Sequence, residues 1–120
     1  IFCNKSKLNI VFEDETFYVI RDAYPVTKDH TLIILNNHEK TYFDLEDKDI
    51  LQLNNIIKIQ KQILMGEDNS ITGFNIGINQ GESAGQTVMH LHIHLIPRRK
   101  GDVSDPRGGV RGVIPSKQKY

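Results

Sequence analysis

Three histidines alternate with apolar residues in the run His90-Leu91-His92-Ile93-His94-Leu95-Ile96-Pro97. Alternation with period two predicts a strand whose two faces differ. Leu91, Ile93 and Leu95 are expected to face a core, and His90, His92 and His94 to lie side by side on the other face. A strand face that only filled surface has no reason to choose imidazole three times running. Imidazole binds metals, exchanges protons near neutral pH, and attacks phosphorus or carbonyl centres. Side chains two apart on a strand are separated by roughly 6–7 Å, so three imidazoles span a groove with His92 at its centre. Two chemistries fit this pattern. Two of the histidines can share a metal, and zinc favours imidazole, although a catalytic zinc needs a third ligand and a water. Alternatively, His92 attacks phosphorus while a flanking imidazole stabilises charge on the phosphoryl oxygens. The plain alternative is a polar sheet face without chemistry.

The loop ahead of the histidines, Gln80-Gly81-Glu82-Ser83-Ala84-Gly85-Gln86, favours phosphate. Gly81 and Gly85 permit a tight backbone whose amides can cradle an anion. Gln86 and Thr87 add side-chain donors. The basic Arg98-Arg99-Lys100 strengthens the case, since these residues can meet an extended phosphate chain. Neither a P-loop nor a G-x-G-x-x-G occurs, so an ordinary ATPase or a dinucleotide-cofactor enzyme has no support.

Five short strands and one helix must position these groups. Leu8–Phe12 and Phe17–Arg21 are β-prone runs separated by Glu13-Asp14-Glu15, which predicts a hairpin. Thr31–Leu35 is a third strand after a polar turn at Thr27-Lys28-Asp29. From about Leu45 to Met65 the spacing is helical, with Ile50, Leu53, Ile56, Ile57, Ile63 and Leu64 in one stripe and Gly66 ending it. Gly73–Asn79 alternates again, with Phe74, Ile76 and Ile78 on one face and Asn75, Gly77 and Asn79 on the other. Joined to the histidine strand through a glycine-containing loop, it is an expected antiparallel neighbour that brings Asn79 near the histidines. The apolar faces of both strands would cover the helix. The reading is α+β: one five-stranded antiparallel sheet packed on one long helix. Residues 1–97 form the catalytic body, and 98–120 an irregular basic tail of the same domain.

At 120 residues the chain has room for one modest core. Its 15 basic and 15 acidic residues cancel, so bulk charge argues for neither nucleic acid nor membrane as a partner. The charge is uneven, however. Residues 1–97 hold 8 Lys/Arg against 13 Asp/Glu, and residues 98–120 hold the other 7 against 2. The tail is either a solvated arm or one lying near an anionic ligand. A single cysteine, Cys3, excludes an internal disulfide and fits a reducing, cytoplasmic compartment. No apolar run reaches transmembrane length, and no signal peptide is read.

These residues resemble the histidine triad (HIT) family of nucleotide hydrolases and transferases. Its signature, His-φ-His-φ-His-φ-φ with φ apolar, is matched by residues 90–96. Lys28-Asp29-His30-Thr31-Leu32-Ile33-Ile34 is similar to the family's first core strand. Asn79-Gln80-Gly81 with Ala84-Gly85-Gln86-Thr87-Val88 is similar to its phosphate loop. The tail Asp105-Pro106-Arg107-Gly108-Gly109-Val110-Arg111 and Ile114-Pro115 resembles that of certain bacterial members.

The resemblance implies that His92 attacks the α-phosphorus of a nucleotide, giving a nucleotidyl-histidine intermediate. It implies that His94 hydrogen-bonds the phosphoryl oxygens and that His90 sits behind, in a supporting network with His30. Asp22 would hold the ribose hydroxyls and Ile20 would touch the base. Asn79, Gly85, Gln86 and Thr87 would surround the phosphate and the leaving group. No metal is needed for that step. A structural zinc is implied instead at Cys3, His38, His90 and a cysteine just before Ile1, and a homodimer whose sheets join into one is implied as well. The basic stretch after Pro97 points toward the dinucleoside polyphosphate branch. Nucleoside phosphoramidate hydrolysis, a non-enzymatic nucleotide-binding adaptor, and a zinc hydrolase using the triad as ligands are the alternatives. Turnover tests the adaptor reading, and metal removal tests the zinc hydrolase.

Overall fold

In the computed structural model, which describes residue 5 and residues 8–120, five strands form one antiparallel sheet. They are β1 (Ile10–Glu13), β2 (Phe17–Arg21), β3 (Thr31–Leu35), β4 (Ile71–Gly77) and β5 (His92–Arg99). Their spatial order is β1-β2-β3-β5-β4, so the histidine strand lies inside the sheet and β4 at one edge. One helix, α1 (Asp47–Glu67), covers one face.

β2 and β3 are almost continuously apolar, which suits strands buried on both faces. Phe17, Val19, Ile33 and Leu35 meet Leu53 and Ile56 of the helix, together with Leu91 and Ile93. On the opposite face Tyr18, Ile20, Leu32 and Ile34 form a second, smaller apolar layer with Leu8, Ile10 and Val88. Ile34 pairs with His92 and Leu32 with His94, so this layer continues directly into the histidine groove. Arg21 ties helix to sheet by donating to Gln60 Oε1 (2.8 Å) and Thr31 Oγ1 (2.9 Å).

Several sequence expectations need adjustment, the first being β1, which runs from Ile10 to Glu13 rather than from Leu8 to Phe12. The helix begins two residues later than its periodicity suggests, where Glu46 N–H donates to Asp49 Oδ2 at 3.2 Å. It passes through Gly66 and stops at Asp68, whose Oδ1 accepts from both the N–H and the hydroxyl of Ser70 and so turns the chain. β4 starts at Ile71 rather than Gly73. Its Phe74 packs toward Leu64 and Leu95, but Ile76 is 49% exposed, because β4 is an edge strand that the helix does not fully cover. β5 begins at His92, and His90 N–H instead closes a tight turn on Val88 O at 2.8 Å. After Arg99 the tail folds back in 3₁₀ turns at Gly109–Val113 and Pro115–Lys117.

Candidate active site

β5 places His92 and His94 on the face opposite the helix, their ring centroids 5.2 Å apart. His92 Nδ1 lies 2.7 Å from the carbonyl oxygen of His90. A carbonyl can only accept, so Nδ1 carries the hydrogen and Nε2 carries the lone pair. The backbone thus sets His92 in the tautomer that a nucleophile needs.

The next imidazole is set by a chain of contacts from the loop between β2 and β3. Val26 N–H donates to His30 Nδ1 at 3.1 Å. His30 Nε2 is therefore the protonated nitrogen, and it donates to His94 Nδ1 at 2.9 Å. That leaves the hydrogen of His94 on Nε2, as a donor. Burial, and then the neighbouring His92 and His30, push the His94 pKa down to about 4. Burial also lowers His30, with Asp22 opposing it. His94 is accordingly a neutral hydrogen-bond donor at pH 7.

His90 departs from the row of three. It is buried, and its Nε2–H donates to Leu35 O at 2.5 Å. Its ring lies 6.1 Å from that of His38 rather than beside His30. The turn on Val88 rotates it out of the strand alternation. The third imidazole of the groove is His30, contributed by the residue just before β3, and the network assigned to His90 and His30 runs instead between His30 and His94.

The remaining sequence-selected residues surround this pair. Asp22 Oδ1 accepts from Tyr24 N–H at 2.9 Å, and Oδ2 stands 3.7 Å from His30 Nδ1. Ile20 belongs to the apolar layer beside the groove. Gly81 and Gly85 both take positive φ (+96° and +94°), as a tight loop there requires. Gln86 is buried, and its Oε1 accepts from Gly81 N–H at 2.8 Å, so its side chain holds the loop closed. Thr87 is exposed. Asn79 lines a cavity together with His94 and His30.

The arginines after Pro97 are occupied. Arg98 pairs with Asp102 at 2.8 Å and donates to Asn75 Oδ1 at 2.7 Å. Arg99 pairs with Asp68 at 3.0 Å and donates to Lys28 O. Both arginine charges, expected to meet a phosphate chain, are matched within the fold. Asp102 is the acid four residues beyond Arg98, a spacing visible in the sequence.

Asp22, His30 and His94 bring potential metal-ligand atoms within 4.8 Å of one another. Both His30 nitrogens and His94 Nδ1 are engaged in the hydrogen-bond chain just described, so the group reads as a relay. Of the sequence-derived zinc set, Cys3 lies outside the described residues. His38 and His90 do come together. With Nε2–H on Leu35 O, the lone pair of His90 is on Nδ1. Two imidazoles on one tetrahedral zinc, with Zn–N of about 2.0–2.1 Å, have centroids about 5 Å apart. The observed 6.1 Å is within a small adjustment of that.

A family model described as HIT domain matches residues 4–101. A HIT family protein from Bacillus anthracis is similar in structure at TM-score 0.76 and 36% identity, over 85% of this chain and 74% of that one. A Zn-bound histidine triad family protein from Mycobacterium smegmatis is similar at TM-score 0.70 and 33% identity, over 80% and 69%. Plasmodium falciparum diadenosine triphosphate hydrolase is similar at TM-score 0.71 and 31% identity, over 80% and 65%.

Proposed function

This chain belongs to the HIT domain family, and we propose that it is a nucleotidyl hydrolase or transferase acting at the α-phosphorus of a nucleotide. The observation that carries this reading is the tautomer of His92, whose Nδ1–H is held by a backbone carbonyl. In the first step the Nε2 lone pair bonds to phosphorus. The bond to the leaving group breaks with its electron pair on the leaving atom. His94 Nε2–H donates to a phosphoryl oxygen as negative charge develops there. In the second step water adds to phosphorus and releases its proton to solvent, and the P–N electron pair returns to His92. One difficult displacement becomes two easier ones.

Asp22 is assigned to the ribose hydroxyls and Ile20 to the base. Gly85 and Thr87 lie beside the phosphate, with Gln86 as the brace of their loop. A diadenosine polyphosphate is the first substrate class, supported by the likeness to the Plasmodium hydrolase. A nucleoside phosphoramidate is the second, favoured by the occupied state of Arg98 and Arg99, which leaves neither for a phosphate chain. The likeness to the Zn-bound mycobacterial protein and the approach of His38 to His90 support a structural zinc completed by Cys3 and a further upstream ligand. The open β4 edge with its exposed Ile76 supports a homodimer formed by sheet continuation. Among the described residues no helix is long and apolar enough to cross a membrane. The single cysteine supports a cytoplasmic setting.

The test is turnover of diadenosine triphosphate and adenosine phosphoramidate by wild type and His92→Ala. Loss of both activities with AMP affinity kept within about tenfold, roughly 1.4 kcal/mol, supports the reading. Substantial activity in the variant removes His92 as nucleophile. A wild type that binds AMP and turns over neither substrate supports an adaptor instead.

A further inference from the structure

The loop between β2 and β3 starts the hydrogen-bond chain that sets His94, since Val26 N–H and the His30 ring both belong to it. Asp22 N–H donates to His30 O at 2.8 Å and joins the two ends of the loop. His30 N–H closes a turn on Thr27 O at 3.1 Å. Within that turn Asp29 takes φ +69°. A residue with a side chain keeps such a left-handed conformation only where its surroundings fix it. What fixes it lies on the far side of the sheet.

Alternation puts His30 in the groove and the next residue, Thr31, on the helix face. Thr31 is fully buried, and its hydroxyl donates to Asp29 O at 2.8 Å. The same oxygen accepts from Arg21 Nη1 at 2.9 Å, and that nitrogen also donates to Gln60 Oε1 of α1 at 2.8 Å. Gln60 is itself buried.

A second arginine repeats the pattern one residue earlier. Arg99 of β5 donates through Nη1 to Lys28 O at 3.1 Å. Its Nε and Nη2 hold Asp68, the residue that ends α1, at 3.2 and 3.0 Å. The consecutive carbonyls of Lys28 and Asp29 are thus bound to the C-terminal half of α1 through one arginine each. A guanidinium suits this task, because its rigid fork presents several donors at once. Burial lowers the Arg21 pKa, and the carboxylates of Asp29 and Glu67 oppose it. Both bridges remain charged.

We infer that Arg21 and Arg99 are positioning residues for nucleotidyl transfer. They lock the carbonyls of Asp29 and Lys28 to α1, so that His30 keeps the placement that leaves the hydrogen of His94 on Nε2. Released from this clamp, the loop withdraws Val26 N–H from His30. With its hydrogen on Nδ1 instead, His30 offers a lone pair to His94. The hydrogen of His94 then sits on Nδ1 and no longer meets a phosphoryl oxygen. The effect on turnover rests on the nucleotidyl-transfer reading above, and the effect on the tautomer does not.

The full chain is studied as wild type, Arg21→Met, Arg99→Met, Thr31→Val and Thr31→Ser. Long-range proton–nitrogen NMR of the imidazoles reports which nitrogen of His94 carries the hydrogen, and turnover of diadenosine triphosphate gives kcat and KM. Wild type is expected to show the hydrogen on Nε2. Arg21→Met and Thr31→Val are expected to show both tautomers. Their kcat should fall about tenfold to a hundredfold, the scale of an ångström-sized misplacement caused from outside the chemistry. Their KM should stay within about twofold. Thr31→Ser keeps the hydroxyl and should restore wild-type behaviour. Arg99→Met should change in the same direction by less, because Lys28 is exposed and water can replace the guanidinium. An unchanged tautomer in Arg21→Met and Thr31→Val overturns the inference. So does a mixed tautomer with wild-type kcat, or a loss that falls on KM instead. Phe17→Leu truncates the core at the other end of β2. An equal tautomer change there also overturns the inference, since the signal would then follow stability alone. If Arg21→Met and Thr31→Val do not fold, Arg99→Met decides: a mixed tautomer retains the clamp and a wild-type spectrum removes it. If wild type turns over neither diadenosine triphosphate nor adenosine phosphoramidate, the nucleotidyl-transfer reading fails, and the tautomers of the variants still decide the clamp.

Discussion

Acid will destabilise this fold through His94 in particular, and the size of the effect follows from its surroundings. The imidazole is partly buried, beside His92 and against His30, and its pKa falls to about 4. In the unfolded chain the same group titrates near 6.5. Below pH 6.5 the unfolded state therefore takes up a proton that the folded state does not, and stability falls as pH falls toward 4. Between pH 7 and pH 5 this linkage amounts to about 2 kcal/mol from His94 alone. Residual contact of the ring with water trims it to about 1–2 kcal/mol. His30 and His90, both shifted down by burial, add to the slope in the same direction. The assay is urea denaturation at pH 7 and pH 5 for wild type and His94→Gln, which keeps a donor amide but cannot titrate. The variant should lose about 1–2 kcal/mol of the pH dependence while His30 and His90 preserve the rest. Identical pH dependence in the two proteins would refute the buried, neutral His94 from which the site chemistry is argued.

Three further outcomes are expected. His30→Ala removes the donor to His94 Nδ1, so NMR titration should show the His94 pKa rising toward 6.5; an unchanged titration would contradict the relay. Asp22→Ala should weaken AMP by up to about 1.5–3 kcal/mol per lost charge-assisted bond, measured by calorimetry, whereas equal affinity would leave Asp22 its turn contact with Tyr24 and its approach to His30. Full-length protein should contain one zinc per chain, with metal content and melting temperature both falling in Cys3→Ser. Metal-free protein with the same melting temperature and full activity would remove the zinc site.

β3 was fully legible in the sequence because a continuous apolar run bounded by a polar turn and Asn36-Asn37 has one reading as a doubly buried strand. The pairing of β4 with β5 was legible from alternation on both sides of a glycine loop. His90 was misread from spacing alone because its turn on Val88 is a backbone event that side-chain periodicity does not encode. The partners of Arg98 and Arg99 were not read from the sequence, because charge was counted before partners. Asp102 is close in sequence, but Asp68 reaches Arg99 only through the packing of α1 and β4 beside β5. The link from His30 to His94 spans 64 residues and depends on β3 lying next to β5. The fold-back of the tail had a signal, the Gly108-Gly109 pair, whose positive φ values bring the chain against Asn75 of β4.

The most direct test of the central claim is rapid-quench trapping during the first turnover, followed by peptide mass analysis. A nucleotidyl adduct on His92 that forms at least as fast as steady-state turnover, and is absent from His92→Ala, is the predicted result. Turnover with no adduct at any time point, or an adduct on another residue, would contradict it.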